Sequence, residues 1–139
     1  KLTFSEEAKT EIDAIMAALR EIVTLAVDAF VKDDPVLASQ VEPLEEVIDL
    51  MKAQLRSRHI RRLQNAECTI ENGFVYNDLI TNIERVSDHC SNIAVSVIQL
   101  KNVKMDAHEY LRDVKKNGDE FKRVYQMFKE KYYTPIKSL

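Results

Sequence analysis

Residues 5–32 read SEEAKTEIDAIMAALREIVTLAVDAFVK. Within them Ala8, Ile12, Ile15, Leu19, Ile22, Ala26 and Ala29 step by four and three in alternation, a heptad stripe along one helical face. Ser5, ahead of Glu6 and Glu7, supplies an N-cap and first-turn acids that suit the helix dipole. The pattern predicts a helix over 5–32, and it repeats outward. Asp34 caps a second helix over 35–64, with Pro35 at the first position, where its missing N–H costs nothing. Its stripe is Leu37, Val41, Leu44, Ile48, Met51 and Leu55, reaching Leu63. Pro43 predicts a kink, and Ser39 with Glu42 a second capping box. A turn near Asn65–Glu67 leads to a third helix over 69–101, with a frayed or bent first turn around Gly73. Its seam is Tyr76, Leu79, Ile83, Val86, Cys90, Ile93, Val97 and Leu100. After a break at Asn102–Asp106, a fourth stripe of Val114, Gly118, Phe121, Tyr125, Phe128 and Tyr132 runs to a stop at Pro135. On this seam Gly118 is a weak spot or a place of close backbone approach. Short connections make neighbours antiparallel, so the expectation is an all-α, elongated up-down-up-down bundle in a single domain: a three-helix core over 5–101 and a fourth helix over 106–133.

Composition agrees. Two glycines and three prolines in 139 residues are about a third of average usage, which argues against a turn-rich β fold. The two glycines are too far apart to cradle a phosphate. Apolar residues make up 45% and charged residues 31%, with a net charge of −3, so no basic surplus points to nucleic acid. No apolar run approaches the roughly 20 residues of a membrane span. The chain opens on Lys1 rather than Met, which reads as a piece of something longer. Cys68 and Cys90, if on one helix, lie about 33 Å apart, too far to bridge. A reducing compartment suits them.

The chemistry lies in acid spacing. Glu45 and Asp49 are four apart on the second helix, Glu84 and Asp88 four apart on the third, so each pair shares a face. Spacing alone carries little, because Glu7/Glu11, Glu42/Glu46, Glu67/Glu71 and Glu109/Asp113 share it. Register carries more. Residues level with each other in an antiparallel hairpin have a constant sum of numbers, and Glu45 with Asp88 and Asp49 with Glu84 both total 133. That centres the hairpin on the turn already located from the stripes. Four carboxylates at one level must be relieved by protonation, by cationic side chains or by a metal ion. A carboxylate cage suits Mg, Ca, Mn or iron. Local pairs Lys52–Asp49 and Arg85–Asp88 are the plainer alternative.

At these residues a family resemblance enters. The stretch Asn82-Ile83-Glu84-Arg85-Val86-Ser87-Asp88, continuing to Asn92-Ile93-Ala94, resembles the signature helix of PhoU domains, and Val41–Asp49 resembles its partner helix. Ser87 stands where the family's usual glycine precedes the aspartate. The resemblance implies a three-helix repeat whose acid motifs bind iron or zinc clusters. Carried over, the metal candidates are Glu45, Asp49, Glu84 and Asp88, with Asn92 as a supporting ligand. A full PhoU protein has two such repeats and this chain has one. In that respect, and in the wording of Arg58 through Cys68 and Gly73, it is similar to the cytoplasmic C-terminal domain of bacterial sodium/phosphate cotransporter-family proteins. This implies a non-enzymatic regulatory domain linked to phosphate transport. It would be tethered at the inner face of the plasma membrane and partnered by a transporter membrane domain or other phosphate-uptake proteins, or by a second copy as a homodimer. The competing readings are a ferritin-like di-metal carboxylate protein, against which no Glu-x-x-His occurs, and a metal-free oligomerising bundle.

The remaining candidates have plain readings. The run Arg56, Arg58, Arg61 and Arg62 either holds phosphate or an anionic membrane surface, or complements the helix dipole. His59 lies within it. His89 and His108 read as surface residues. Cys90 reads as a buried thiol, and Cys68 is the more reactive candidate. Phe121, Tyr125, Phe128, Tyr132 and Tyr133 read as packing of the fourth helix.

Overall fold

The computed structural model describes the backbone of residues 4–102 and 107–137, and side chains for 4–100 and 118–137. Of the break expected at Asn102–Asp106, Asn102 is the last residue of the third helix and 103–106 lie outside the described residues, as do the side chains of His108, Glu109, Asp113 and Val114. Helices α1 (Glu6–Lys32), α2 (Pro35–Gln64), α3 (Ile70–Asn102) and α4 (Ala107–Phe128) follow one another, with no strand among the described residues. The caps form as the sequence expects. Ser5 Oγ accepts from the Ala8 N–H at 3.1 Å, and Asp34 Oδ1 accepts from Val36 and Leu37 at 2.9 and 3.3 Å. Asp33 turns left-handed at φ 50° to close α1, a conformation Asp tolerates better than most residues.

Helix α2 is the hub, packing against α1, α3 and α4. Having neighbours on several sides, it buries a broad arc: Ala38, Val41, Leu44, Val47, Ile48, Met51 and Leu55. It runs unbroken through Pro43. Ser39 does not cap, because its hydroxyl donates to the Val36 carbonyl at 2.6 Å. On α3 the buried row is Tyr76, Ile80, Ile83, Ser87, Cys90, Ala94 and Val97. Three of the eight expected seam positions are thereby displaced by one residue, from Leu79, Val86 and Ile93 to Ile80, Ser87 and Ala94, and Val86, Ile93 and Leu100 are exposed. Small Ser87 and Ala94 let α3 approach its neighbours closely, which pushes the larger residues beside them to the rim. The first turn at Gly73 is helical rather than frayed, with its N–H donating to the Thr69 carbonyl at 3.0 Å. A Cβ there would stand 3.3 Å from the His59 ring and from Leu63, so this glycine serves close packing of α2 on α3.

Pro135 does not stop the chain. After Phe128 the ladder widens into a π-helical turn, Lys129–Tyr133, and then a short α5, Thr134–Lys137. The Thr134 N–H reaches Lys129, five residues back. Pro135 then falls in a fresh first turn, where its missing N–H is harmless. Val124, Phe128, Tyr132 and Ile136 are buried. The Tyr132 hydroxyl donates to Glu21 of α1, and Gln54 and Arg58 of α2 reach the Lys137 carbonyl at 3.5 Å. This terminal segment therefore fills the α1/α2 groove.

One end of the bundle is ionic inside. Glu11 is 0% exposed. Arg62 holds both its oxygens, at 2.9 and 3.1 Å, and the Tyr76 hydroxyl donates to it at 2.8 Å. Arg58 and Arg62 each lie 3.1 Å from Glu7. Two members of the expected basic surface run thus point inward, and Leu63, expected on the stripe, is exposed in their place. Burial and the Glu11 carboxylate push the Tyr76 phenol well above its ordinary pKa.

Arg62→Met strands the Glu11 carboxylate without its main partner, so urea unfolding is expected to show a loss of about 3–5 kcal/mol. Adding Glu11→Leu recovers part of it, because the stranded charge goes too. Gly118 is exposed in α4, and nothing lies within 4 Å of an added Cβ. It is therefore neither at a close approach nor on the seam. Gly118→Ala is expected to raise stability by up to about 1 kcal/mol in the same assay.

Candidate functional site: the acidic seam between α2 and α3

The helix register brings the two acid pairs together. Ser91 Oγ of α3 donates to Glu42 of α2 at 2.6 Å, a contact whose numbers again total 133. Glu45 shares a hydrogen bond with Asp49 and feels the charges of Glu42 and Asp88. Lys52 Nζ lies 3.2 Å from Asp49 Oδ1 and 3.1 Å from Glu84 Oε1. Arg56 Nη2 lies 3.3 Å from Glu84 Oε2. The expected Lys52–Asp49 pair is present, with an added reach across the seam to α3. The expected Arg85–Asp88 pair is not formed among the described residues, and both residues are exposed. Asn92 is also exposed. Its carbonyl accepts from Ser96 at 3.0 Å, and no hydrogen bond joins it to the four acids.

The electrostatics divide the seam in two. On one side, hydrogen bonds and charge from Lys52 hold Glu84 below the usual carboxylate range, with Arg56 adding to them. Burial opposes the Lys52 charge, but its bonds to Glu84 and Asp49 outweigh that and keep its pKa above the ordinary value. On the other side, burial pushes Glu45 up to about 8, helped by Asp49, Glu42 and Asp88. Near neutral pH Glu45 therefore keeps its proton and donates it to Asp49. A proton and two cationic side chains together relieve the repulsion.

As they stand, these residues do not fit a metal ion. Among the described residues, no three His, Cys, Asp or Glu side chains converge closely enough to hold one. Both oxygens of Glu84 face nitrogen donors. Sequence reasoning missed the cross-seam role of Lys52 and Arg56 because it paired charges only within a helix.

A second polar place lies where α1 and α3 begin. A cavity of about 290 Å³ there is lined by Ser5, His59, Arg62, Cys68 and Thr69, among others. Its polar groups serve the fold: Ser5 and Thr69 cap their helices and Arg62 binds Glu11. The His59 ring stacks on Tyr76 at 4.7 Å, and burial, then Arg62, pulls its pKa down. Cys68 is half-buried, and Cys90 is buried with its thiol pushed up by burial.

The third groove, between α1 and α3, is apolar. Val27, Phe30 and Ile93 line it, and Phe30 is 69% exposed. Val23, Val86 and Leu100 extend the exposed apolar rows on the same two helices.

Comparison with known proteins places these features in a family. The model of the PhoU domain matches residues 12–97. The chain is similar to the phosphate-specific transport system accessory protein PhoU homolog 1 of Thermotoga maritima, at 28% identity over 113 residues. The alignment covers 81% of this chain and 48% of that protein, so the chain spans about half the length of the curated relative it matches. No solved structure matches.

The Glu45 shift fixes a pH dependence. Below pH 4.5 both folded and unfolded chains carry the proton; between 4.5 and about 8 only the folded chain does. Stability is therefore lost across that window as pH rises. Glu45→Gln is expected to raise the melting temperature above pH 8 and to leave it unchanged below pH 4.5, read by thermal denaturation at matched ionic strength.

Proposed function

The chain belongs to the PhoU domain family, and from that premise we propose that it is a non-enzymatic regulatory domain of phosphate uptake that works by docking. Family membership is supported by the match over residues 12–97, and a phosphate-transport role by the similarity to the phosphate-specific transport accessory protein of Thermotoga maritima. The observation that carries docking is the open α1/α3 groove. Its neighbour, the α1/α2 groove, is filled by the chain's own C-terminal segment, and the α2/α3 seam is crossed by ion pairs. Rows of exposed apolar side chains rimmed by charge are the usual mark of an interaction surface.

The occupant we propose is the membrane domain of a phosphate transporter of the sodium/phosphate cotransporter type, met at the cytoplasmic face of the plasma membrane. No helix among the described residues is long and apolar enough to cross a membrane. Docking would couple the state of the domain to the transporter through α1 and α3, with no covalent chemistry required of the domain.

The test is phosphate uptake in cells carrying Phe30→Asp with Ile93→Lys. Changed uptake at equal protein level and unchanged helicity is the expected result. Normal uptake in that variant counts against the docking reading. Normal uptake together with conversion of a dimer to a monomer, read by light scattering, would reassign the groove to a second copy of the chain.

A further inference from the structure

Four acids facing one another across two helices need a counter-charge, and this chain carries one within reach. The Lys52 ammonium touches one carboxylate from each pair, Asp49 at 3.2 Å and Glu84 at 3.1 Å. Its side chain is only 14% exposed, so it is held in the seam rather than waving over it. Arg56 takes the second oxygen of Glu84 at 3.3 Å. Both cations belong to α2, and their shared acid belongs to α3. The pairs therefore cross-link the two helices.

A metal ion would compete for the same lone pairs. Inner-sphere carboxylate oxygens bind at roughly 2.0–2.6 Å, and those of Glu84 are already turned to N–H donors. A divalent ion bridging Asp49 and Glu84 would also stand within contact range of an ammonium, where like charges repel strongly away from bulk water. Arg56 cannot lose its charge to relieve this. We infer that the α2/α3 acid seam is a metal-independent clasp in which Lys52, seconded by Arg56, is the resident cation, and that Lys52 determines whether these acids take up metal.

The consequence is specific. With Lys52 present, the seam is closed and the fold needs no metal. With its charge removed, Asp49 and Glu84 lose the cation they share, and a divalent ion can draw them and the neighbouring Glu45 and Asp88 together into a carboxylate set of the kind such ions use. Charge at position 52 decides between the two states, so arginine preserves the clasp and methionine opens it.

The experiment measures Zn²⁺ and Mn²⁺ binding by equilibrium dialysis with elemental analysis, and melting with and without chelator, on the wild-type chain, Lys52→Met and Lys52→Arg. Wild type and Lys52→Arg are expected to hold no stoichiometric metal at the seam and to melt alike with or without chelator. Lys52→Met is expected to bind Zn²⁺ roughly tenfold tighter or more, and adding Glu84→Gln should abolish the gain. Stoichiometric metal in the wild type that is lost in Asp49→Asn with Glu84→Gln would overturn the inference, as would equal affinity in wild type and Lys52→Met. Metal that survives the double substitution is bound elsewhere and leaves the clasp standing. Should Lys52→Met fail to fold, the wild type decides: no metal and chelator-insensitive melting support the clasp, and metal lost on the double substitution refutes it.

Discussion

The register of two antiparallel hairpins sharing α2 is the constraint from which the rest of this bundle follows. Between α2 and α3, contacts such as Ser91–Glu42 have residue numbers that total 133. Between α1 and α2, Glu7–Arg62 and Glu11–Arg58 both total 69, centring that hairpin at the Asp34–Pro35 corner. A slip of one turn on either side would part Glu11 from Arg62 or Lys52 from Glu84. Apolar packing supplies most of the stabilisation in such a bundle, but heptad stripes tolerate sliding by whole turns. The ionic contacts do not, since a buried charge that loses its partner costs several kcal/mol. Register is thus held at one end by a cluster around the buried Glu11 and further along by a half-exposed seam.

Three helices in a bundle make three grooves, and this chain treats each differently. The α1/α2 groove receives the chain's own C-terminal segment, and the π-helical turn lets that segment stay helical through Pro135 with Tyr132 directed at Glu21. The α2/α3 groove is polar and closed by side chains of opposite charge. The α1/α3 groove is apolar and open. A chain that needed only to fold would gain nothing by leaving Phe30 69% exposed, whereas a domain that docks needs such a surface. In the docking reading, the difference between the grooves puts the partner surface on the α1/α3 side and leaves the acidic seam to the scaffold.

Much of this was legible in the residues. The stripe on α1 and the Asp34–Pro35 corner gave helix limits within a residue of those observed, and the level of the four acids followed from numbering. Other features were hidden because charge was read one helix at a time. Arg58 and Arg62 look like a surface run on α2, and Glu7 and Glu11 look like an ordinary acid pair on α1. Only the constant-sum rule applied to the first hairpin reveals that the two sets face each other. Lys52 was assigned to Asp49 for the same reason, although its ammonium also spans to Glu84 on the next helix. On α3, stepping by three and four through apolar residues puts Val86 and Ile93 on the seam. Close packing instead selects their small neighbours, Ser87 and Ala94, and that preference appears only once the distance between helices is known.

Glu11 and Glu84 illustrate why two acids with similar partners play different parts. Each accepts from an arginine of α2. Glu11 is sealed in a network with Arg58, Arg62 and Tyr76, so any change in its charge is paid at once in stability. Glu84 keeps one side toward solvent and shares Lys52 with Asp49, whose neighbour Glu45 is pushed up to about 8 by burial. A cluster of the first kind can only hold the helices in place. The second kind has alternative counter-charges within reach, a proton, an ammonium and a guanidinium, and its balance depends on which of them is present. Substitution at position 52 therefore acts on the identity of the counter-charge, while substitution at position 62 acts on whether the bundle closes at all.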